Sequence, residues 1–479
     1  MEERQRLRIP RLHFLSREKI EKIHGASLDV LKRTGILVKD PKALEILKEA
    51  GSHGEGGRVR IPSSLVENAL KNAVSRLVLA DRSGKPAVTL EGDEAWFGTG
   101  SDTPHVIDPY TGQRRRAVLK DIENVSKIVD ALPEMSFVMC SGVASDVNPE
   151  MADIYHFLAM ASMTEKPVGF TSWNLANLET IIEMAAVVAG GEDKLRANPF
   201  LALYTEPISP LVLGQESSQK LMFMAERGLP VIFAPGMITG ATGPVTLAGG
   251  IVQANAEILA GYVLADLVRP GTPFIYGGSG EPMDMSAMLM SYAAPESMLV
   301  VSSLTDMSKY YGLPSFGYAG CSDSNLYDQQ ASLESALWIF IASLNGANLV
   351  HDVGYVNNGL TTSFEQLVVS AEVVGSVRRI SGGIDVDEET MALDLIAEVG
   401  PGGEYLTSEH TLRHFRDNWF PRLISRDPYE KWEQKGRKDL GSRANEFVRH
   451  ILENHEPKPL DGRIAQELRR IVRACDRSA

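Results

Sequence analysis

The chain is poor in cysteine and has fewer positive than negative side chains. Only three of its 479 residues are cysteines (Cys140, Cys321 and Cys475), too few for a disulfide framework. The 48 lysines and arginines are outnumbered by 62 aspartates and glutamates, so the formal net charge is −14. Nucleic acids and anionic membrane surfaces attract basic proteins. We therefore expect neither a nucleic acid nor a membrane as a partner.

Long hydrophobic runs are also missing. No uninterrupted apolar stretch approaches the ~18 residues that would indicate a membrane-spanning helix. The first residues, Met1-Glu2-Glu3-Arg4, contain no apolar signal region, so nothing in them indicates export. We expect a cytoplasmic protein whose hydrophobic residues, 44% of the total, build a globular core.

What the chain does contain is a repeated pattern of a short apolar run, a polar or glycine-rich break and a helix-length stretch. The pattern occurs eight times between Ala95 and Val350. The apolar runs begin at residues 95, 137, 168, 201, 231, 274, 315 and 348. Eight strands that alternate with helices predict an α/β fold, a closed parallel (β/α)₈ TIM barrel.

Three domains are predicted along the chain. Residues 1–94 form a helical N-terminal extension with a β-hairpin that joins Leu77-Val78-Leu79 to Val88-Thr89-Leu90, and we expect this extension to cover the bottom or side of the barrel. Residues 95–399 form the catalytic barrel, and residues 400–479 form a charged helical C-terminal tail. The two helical additions lead us to expect a homo-oligomer.

The residues that follow the strands predict the chemistry, because barrel enzymes place their sites at the carboxyl ends of the strands. Lysine and arginine are absent just after the predicted strands, apart from Arg114 to Arg116, which lie well beyond the first one. Their absence disfavours a Schiff-base lysine and a phosphate substrate. Aromatic rings and carboxylates are plentiful there, which favours a cationic ligand, above all a quaternary ammonium ion with no N–H to donate.

A few of these strand-end groups can bind such a ligand. Tyr204 and Glu206 lie two residues apart and therefore on one face of their strand. His351 ends the last strand, where it can donate a hydrogen bond to a substrate carboxylate. The backbone amides of Gly277 and Gly278 can cradle an anion. Packing of the barrel interior and tight turns explain many of the same rings and glycines.

Several segments together resemble the trimethylamine methyltransferase superfamily over nearly the whole chain. They are Phe97-Gly98-Thr99-Gly100-Ser101-Asp102, Tyr204-Thr205-Glu206-Pro207, Thr239-Gly240-Ala241-Thr242-Gly243-Pro244, Cys321-Ser322-Asp323-Ser324 and the tail that begins His410-Thr411-Leu412. The resemblance implies a barrel that transfers a methyl group from an amine to the cobalt of a corrinoid. That corrinoid (a cobalamin) belongs to a separate protein, which docks at the carboxyl-terminal face of the barrel. For this chain itself the expectation is no metal and no tightly bound cofactor.

One departure from the family pattern bears on the substrate. The trimethylamine enzymes of the superfamily carry pyrrolysine close to the segment after the seventh strand, where this chain reads Ser324-Asn325-Leu326-Tyr327. The chain therefore resembles the branch without pyrrolysine, whose members are similar to glycine betaine, proline betaine and carnitine methyltransferases. A quaternary nitrogen is already positively charged and leaves as a neutral amine, so the protein need supply no acid or nucleophile. Glycine betaine, the smallest of these substrates, is the first expectation.

For this chemistry we expect the protein mainly to position its substrate. Glu206 would balance the positive charge, while His351 and the amides near Gly277 and Gly278 would hold the carboxylate. Glu206 and His351 are the only candidates for catalytic groups. The aromatic cage expected around the trimethylammonium group consists of Phe97, Tyr204, Phe233, Tyr276 and Tyr355.

Two other functions stay open. The first is a metal-dependent or acid/base-dependent lyase or isomerase that uses Glu206, Asp323 and His351 and needs no corrinoid partner. The second is a non-catalytic protein that binds a quaternary amine. Cys140, Cys321 and His351 could also form a zinc site, but no cysteine and histidine share a close motif spacing, so buried cysteines are the simpler interpretation.

Overall fold

A computed structural model describes residues 11–476 of the protein. The expectation about Met1-Glu2-Glu3-Arg4 lies outside the described residues. Eight parallel strands form the centre of the fold, and we number them β1 to β8. They are β1 (Trp96–Gly98), β2 (Met135–Phe137), β3 (Val168–Phe170), β4 (Leu201–Thr205), β5 (Val231–Phe233), β6 (Phe274–Gly277), β7 (Ser315–Tyr318) and β8 (Leu349–His351).

The eight strands close into a barrel. β1 pairs with β2, each strand from β3 to β7 pairs with the next in chain order, and β8 pairs with β1. Val138, directly after β2, pairs with Val168 of β3 and joins the remaining edges. The predicted (β/α)₈ barrel is therefore confirmed, with strands close to the expected apolar runs.

A helix follows each strand and packs around the barrel. The helices are α1 (Leu119–Ala131), α2 (Ala152–Met163), α3 (Leu175–Ala189), α4 (Gln215–Arg227), α5 (Leu247–Val268), α6 (Pro295–Tyr311), α7 (Gln329–Asn345) and α8 (Phe364–Ser381). Asn174, Asp328 and Ser363 start three of them by accepting a hydrogen bond from a first-turn N–H. Among the described helices, α5 alone is long and apolar enough to cross a membrane, and it is mostly buried in the protein as a core helix.

The N-terminal segment packs against α5, and its hairpin closes the amino-terminal end of the barrel. Its helices are Arg17–Asp29, Pro41–Glu49 and Ser63–Leu70, and all three contact α5. The hairpin of Leu77–Ala80 and Pro86–Leu90 joins the apolar cluster that fills the barrel interior. The N–H of Ala80 bonds to the carbonyl of Pro199, just before β4, which locates the hairpin at the amino-terminal end of the strands.

The C-terminal segment runs along the outside of the barrel. It contains the short helices Glu388–Met391, Leu393–Val399, Glu409–His414 and Tyr429–Gln434 and the longer helices Leu440–Asn454 and Gly462–Asp476. Helix Leu440–Asn454 packs on α8 and α1, and helix Gly462–Asp476 packs on α3 and α2. Buried apolar residues of both terminal segments and of the barrel form one continuous cluster, and the division into three domains stays a prediction.

Small sheets extend the loops at the carboxyl ends of the strands. Gly236–Thr239, Ser279–Asp284 and Leu289–Met290 form a three-stranded sheet from the loops after β5 and β6. The loops after β1 and β8 form a four-stranded sheet from His105–Ile107, Arg114–Arg116, Tyr355–Val356 and Thr361–Thr362. These sheets position loop residues around the open end of the barrel.

Close packing of α5 on β5 supports the barrel wall. A Cβ atom added at Gly261 would lie 2.3 Å from the Phe233 ring, whereas one added at Gly25 would meet no atom within 4 Å. We expect Gly261→Ala to lower the free energy of unfolding by about 1–3 kcal/mol through overpacking. Gly25→Ala is the control and should raise it by about 0.5–1 kcal/mol through helix propensity. Urea unfolding measures both, and equal effects of the two substitutions would contradict this packing.

Candidate functional site

The open end of the barrel contains a cavity of about 730 Å³. Tyr204, Glu206 and His351 line it from the strand ends, and Tyr292 and Tyr355 line it from the loops. A smaller cavity of about 170 Å³ shares most of these residues and continues toward Glu281 and Tyr318. We refer to the two together as the mouth cavity. Its position matches that of the sites of barrel enzymes.

Aromatic rings form one part of the cavity wall. The Tyr204 ring lies 5.2 Å from the Phe316 ring and 5.8 Å from the His351 ring, measured between centroids. The Phe316 and His351 rings stack at 4.2 Å with an interplanar angle of 10°. We call Tyr204, Phe316 and His351 the aromatic floor. Such a surface presents π-faces that attract cations.

Five carboxylates also line the mouth cavity: Asp102, Glu206, Glu216, Glu281 and Asp352, of which the exposed Glu216 lies at its rim. Glu206 accepts a hydrogen bond from the Tyr204 hydroxyl. Glu281 accepts one from the Tyr318 hydroxyl at 2.7 Å, and Asp102 accepts one from the Thr171 hydroxyl at 3.3 Å. Asp352 lies 2.7 Å from Nδ1 of His351 but without hydrogen-bond geometry, so that buried nitrogen has no hydrogen-bond partner among the described residues.

The environment of Glu206 makes its carboxyl group easier to protonate. Its side chain is exposed to the open mouth cavity and is surrounded by protein on its other sides. This burial raises the pKa of Glu206 to about 7, with Asp102 and Glu281 adding to the effect and the Tyr204 hydrogen bond opposing it. Burial likewise raises the pKa of Asp102 and of Glu281. The cavity therefore concentrates negative charge that a bound cation would stabilise.

A lysine in the cavity corrects one expectation. Lys220 of α4 lines the mouth cavity, and its Nζ donates a hydrogen bond to the carbonyl of Ser172 at 2.6 Å. Burial lowers the pKa of Lys220. The absence of lysine just after the strands therefore does not make the site free of lysine. Lys220 lies within the helix that follows β4, and the exposed Lys39 of the N-terminal segment also lines the cavity.

Three predicted cage residues do not reach the cavity. Phe97, Phe233 and Tyr276 are fully buried between the strands and the surrounding helices. Phe233 packs against Gly261 of α5, and the Tyr276 hydroxyl donates to Oδ1 of Asn255 at 2.7 Å. The prediction that these three residues belong to the aromatic cage is therefore wrong. Side chains alternate along a strand, and the preceding residues, Trp96, Ile232 and Ile275, are the ones that point into the barrel.

The remaining predicted residues lie at the mouth cavity or next to it. Tyr204, Glu206, His351 and Tyr355 line it, and the Tyr355 hydroxyl is buried with no hydrogen-bond partner among the described residues. Gly278 lines the smaller cavity. Gly277 does not line it, because the backbone and Cβ of Phe316 cover its free side. The roles of these residues stay proposals.

The zinc and acid/base interpretations receive no support from the positions of their residues. Among the described residues, Cys140, Cys321 and His351 do not form a group close enough to share an ion. Asp323 accepts hydrogen bonds from the Tyr292 amide at 2.8 Å and from the Ser291 hydroxyl, and it does not line the mouth cavity. Asp323 therefore holds the loop that carries Tyr292.

Sequence reasoning missed Tyr292, Phe316 and Lys220 as cavity residues. Phe316 lies inside β7, where alternation along the strand could have identified it. Tyr292 lies far along the loop after β6, and Lys220 lies on a helix, so neither position carries a local signal in the sequence.

Comparison with known proteins identifies the family. The family model for trimethylamine methyltransferase (MTTB) matches residues 2–478. The chain belongs to the trimethylamine methyltransferase family. A trimethylamine methyltransferase of Desulfitobacterium hafniense strain DCB-2 is 36% identical over 459 residues, which are 95% of this chain and 92% of the relative. A glycine betaine methyltransferase of Desulfitobacterium hafniense strain Y51 is 32% identical over 469 residues, 97% of each chain.

A solved structure supports the fold. The monomethylamine methyltransferase of Methanosarcina barkeri superimposes with a TM-score of 0.52 and covers 92% of this chain and 89% of its own. The two sequences are 13% identical, so the likeness concerns the fold alone. The solved methyltransferase structure therefore supports the barrel fold of this chain.

The charge of Glu206 should make cation binding depend on pH. We expect tetramethylammonium to bind the ionised form, so its affinity should fall roughly tenfold between pH 8 and pH 6 as Glu206 takes up a proton. Glu206→Gln should weaken binding at pH 8 and remove most of this dependence. Glu216→Gln, at the rim of the same cavity, is the matched control and should retain it. Calorimetric titration measures the affinities, and a wild-type affinity constant from pH 6 to 8 would contradict this role.

Proposed function

We propose that the protein transfers a methyl group from a quaternary amine, with glycine betaine as the first choice, to the Co(I) corrinoid of a partner protein. The observation that carries the proposal is the mouth cavity, which combines an aromatic floor, five carboxylates and two lysines. Membership of the family supports methyl transfer. The two relatives named above act on different substrates by their names, trimethylamine and glycine betaine. The choice of substrate therefore rests on the residues of the mouth cavity.

The positive end of the substrate fits the aromatic floor. A trimethylammonium group has no N–H, so it gains from π-faces and from nearby negative charge without forming hydrogen bonds. Tyr204 and Phe316 offer such faces, and Glu206 is held beside them by the Tyr204 hydroxyl. Each ring under the cation contributes about 0.5–2 kcal/mol. Trimethylamine in its neutral form would gain much less from this surface.

The carboxylate of a betaine fits Lys220. One of the three N–H groups of its ammonium is used by the Ser172 carbonyl, and the side chain lines the same cavity as the aromatic floor. A charge-assisted hydrogen bond from Lys220 would neutralise the anionic end of the substrate. In this proposal Lys220 takes over the role expected for Gly277, which lies outside the cavity, and His351 contributes its ring to the floor.

The chemistry requires little more than positioning. The partner's Co(I) would supply the electron pair that forms the bond to the methyl carbon, while the C–N electron pair stays on nitrogen and the product leaves as a neutral amine. The floor and Lys220 fix the two ends of the substrate so that one methyl group faces the open end of the barrel. Such fixed geometry can be worth about 7–11 kcal/mol. We propose that the partner docks at this carboxyl-terminal face.

We also propose that the protein is a homo-oligomer. The segment from Ile380 to Tyr429 exposes many large apolar side chains, among them Ile384 at 75%, Leu406 at 80% and Leu412 at 71% exposure. Apolar surface of this extent marks an interaction surface. Size-exclusion chromatography with light scattering should give a mass of at least two chains, and Leu406→Glu with Leu412→Glu should lower it. A wild-type mass of one chain would contradict the proposal.

Methyl–cobalt formation tests the function directly. The full-length protein, mixed with reduced free cobalamin and glycine betaine, should convert the visible spectrum of Co(I) to that of methylcobalamin. We expect Lys220→Met to lower kcat/KM for glycine betaine roughly 10- to 100-fold, because a hydrogen bond to a charged group is lost. Choline has no carboxylate, so its slower reaction should be unchanged by this substitution.

The control variant is Lys48→Met, which alters an exposed lysine of the N-terminal helix Pro41–Glu49 and should leave both reactions unchanged. No methyl transfer from any trimethylammonium compound, together with calorimetric binding of glycine betaine, would indicate the non-catalytic binding protein. If Lys220→Met slows methyl transfer equally from glycine betaine and from choline, the assignment of Lys220 is contradicted but the proposed methyl transfer is not.

A further inference from the structure

A second group of ligand-forming side chains lies in the C-terminal segment. His410 and His414 lie one turn apart on helix Glu409–His414, and their ring centroids are 4.4 Å apart. Glu389 of helix Glu388–Met391 faces them, with its Oε1 3.2 Å from Nε2 of His414. One ligand atom from each of the three residues lies within 4.8 Å of the other two. Two imidazoles and a carboxylate therefore converge on one point.

The neighbours of this group orient it in the way metal sites require. Oδ2 of Asp417 lies 2.7 Å from Nδ1 of His414, which fixes the ring and directs Nε2 toward Glu389. Nε2 of His410 lies 3.2 Å from the carbonyl oxygen of Glu389, so the His410 ring also contacts helix Glu388–Met391. Nη1 of Arg413 lies 3.0 Å from the same Oε1 atom of Glu389 and helps to hold the carboxylate beside His414.

The ligand types and spacing suit zinc. Zn²⁺ binds imidazole nitrogen and carboxylate oxygen in tetrahedral geometry at about 2.0–2.2 Å, which separates neighbouring ligand atoms by roughly 3.3 Å. The distance of 3.2 Å between Glu389 Oε1 and His414 Nε2 already has this value. Small movements of the half-buried His410 side chain and the exposed Glu389 side chain would complete the set, with a water molecule as the fourth ligand.

The segment around these three residues has no buried core of its own. Within the described stretch from 378 to 422, no residue is buried. Its helices Glu388–Met391 and Glu409–His414 are four and six residues long, and isolated helices of this length are unstable in water. Segments that lack a hydrophobic core are commonly stabilised by a metal ion. An ion between Glu389 and the two histidines would fasten one of these helices to the other.

We propose that Glu389, His410 and His414 bind one Zn²⁺ ion that holds this part of the C-terminal segment together. None of the three residues lines the mouth cavity, so the site is separate from the proposed methyl transfer. The ion has a structural role here, and its loss should loosen the segment while leaving the barrel folded.

Metal binding by the full-length protein tests the proposal. After dialysis against a chelator, titration with Co²⁺ should produce the visible absorption of a tetrahedral Co²⁺ site, and one equivalent of Zn²⁺ per chain should abolish it. His410→Ala and His414→Gln should each weaken Zn²⁺ binding at least 100-fold by calorimetry. His450→Ala, at an exposed histidine of helix Leu440–Asn454, is the control and should bind like the wild type.

Limited proteolysis provides a readout that is independent of affinity. Chelation should speed cleavage between residues 383 and 422 of the wild type, and added Zn²⁺ should slow it, whereas His414→Gln should be cleaved quickly with or without Zn²⁺. Circular dichroism confirms that each variant is folded. Less than one bound Zn²⁺ per chain, or binding unaffected by both histidine substitutions, would overturn the proposal.

Discussion

Negative charge concentrated at the open end of the barrel is the constraint on which the proposed function depends. Asp102, Glu206, Glu281 and Asp352 share the mouth cavity with the buried Lys220. Burial raises the pKa of Glu206 to about 7, which shows that its ionised form lacks sufficient compensation from the protein. A permanently charged ligand supplies that compensation, and the rings of the aromatic floor bind it without demanding a hydrogen bond.

The two ends of the barrel differ in what their side chains do. At the amino-terminal end of the strands, the hairpin residues Leu79 and Val88 fill the barrel with apolar side chains. At the carboxyl-terminal end, loops and small sheets leave a cavity lined by polar and aromatic groups. This arrangement is typical of barrel enzymes, in which the packed interior lets the loops vary. In the proposed function, the methyl group of the substrate would face the open end at which the partner would dock.

The barrel could be predicted from the sequence because its signal is repeated eight times and each repeat is local. The same holds for helix starts such as Asp328, whose side chain accepts from the Ala331 amide. Part of the site could also be predicted. Glu206 directly follows β4 and lies two residues after Tyr204, so the alternation of side chains places both on the same side. The predicted aromatic cage is less accurate. Side chains alternate along a strand, so Ile232 and Ile275 point into the barrel and their neighbours Phe233 and Tyr276 point outward.

The rest of the site depends on tertiary structure. Lys220 enters the cavity from a helix, and Tyr292 enters it from a loop held by Asp323, so neither position could be inferred from strand spacing. The C-terminal histidines show the same limit. His410 and His414 share a helical face in the sequence, but Glu389 joins them only through the folding of a long exposed segment.

A structure of the protein with bound glycine betaine tests the central claim most directly. The account predicts the trimethylammonium nitrogen within about 6 Å of the Tyr204 and Phe316 ring centroids, with the carboxylate on Nζ of Lys220. A betaine bound outside the mouth cavity, or bound there with its carboxylate toward Glu206 and its nitrogen away from the rings, would contradict it.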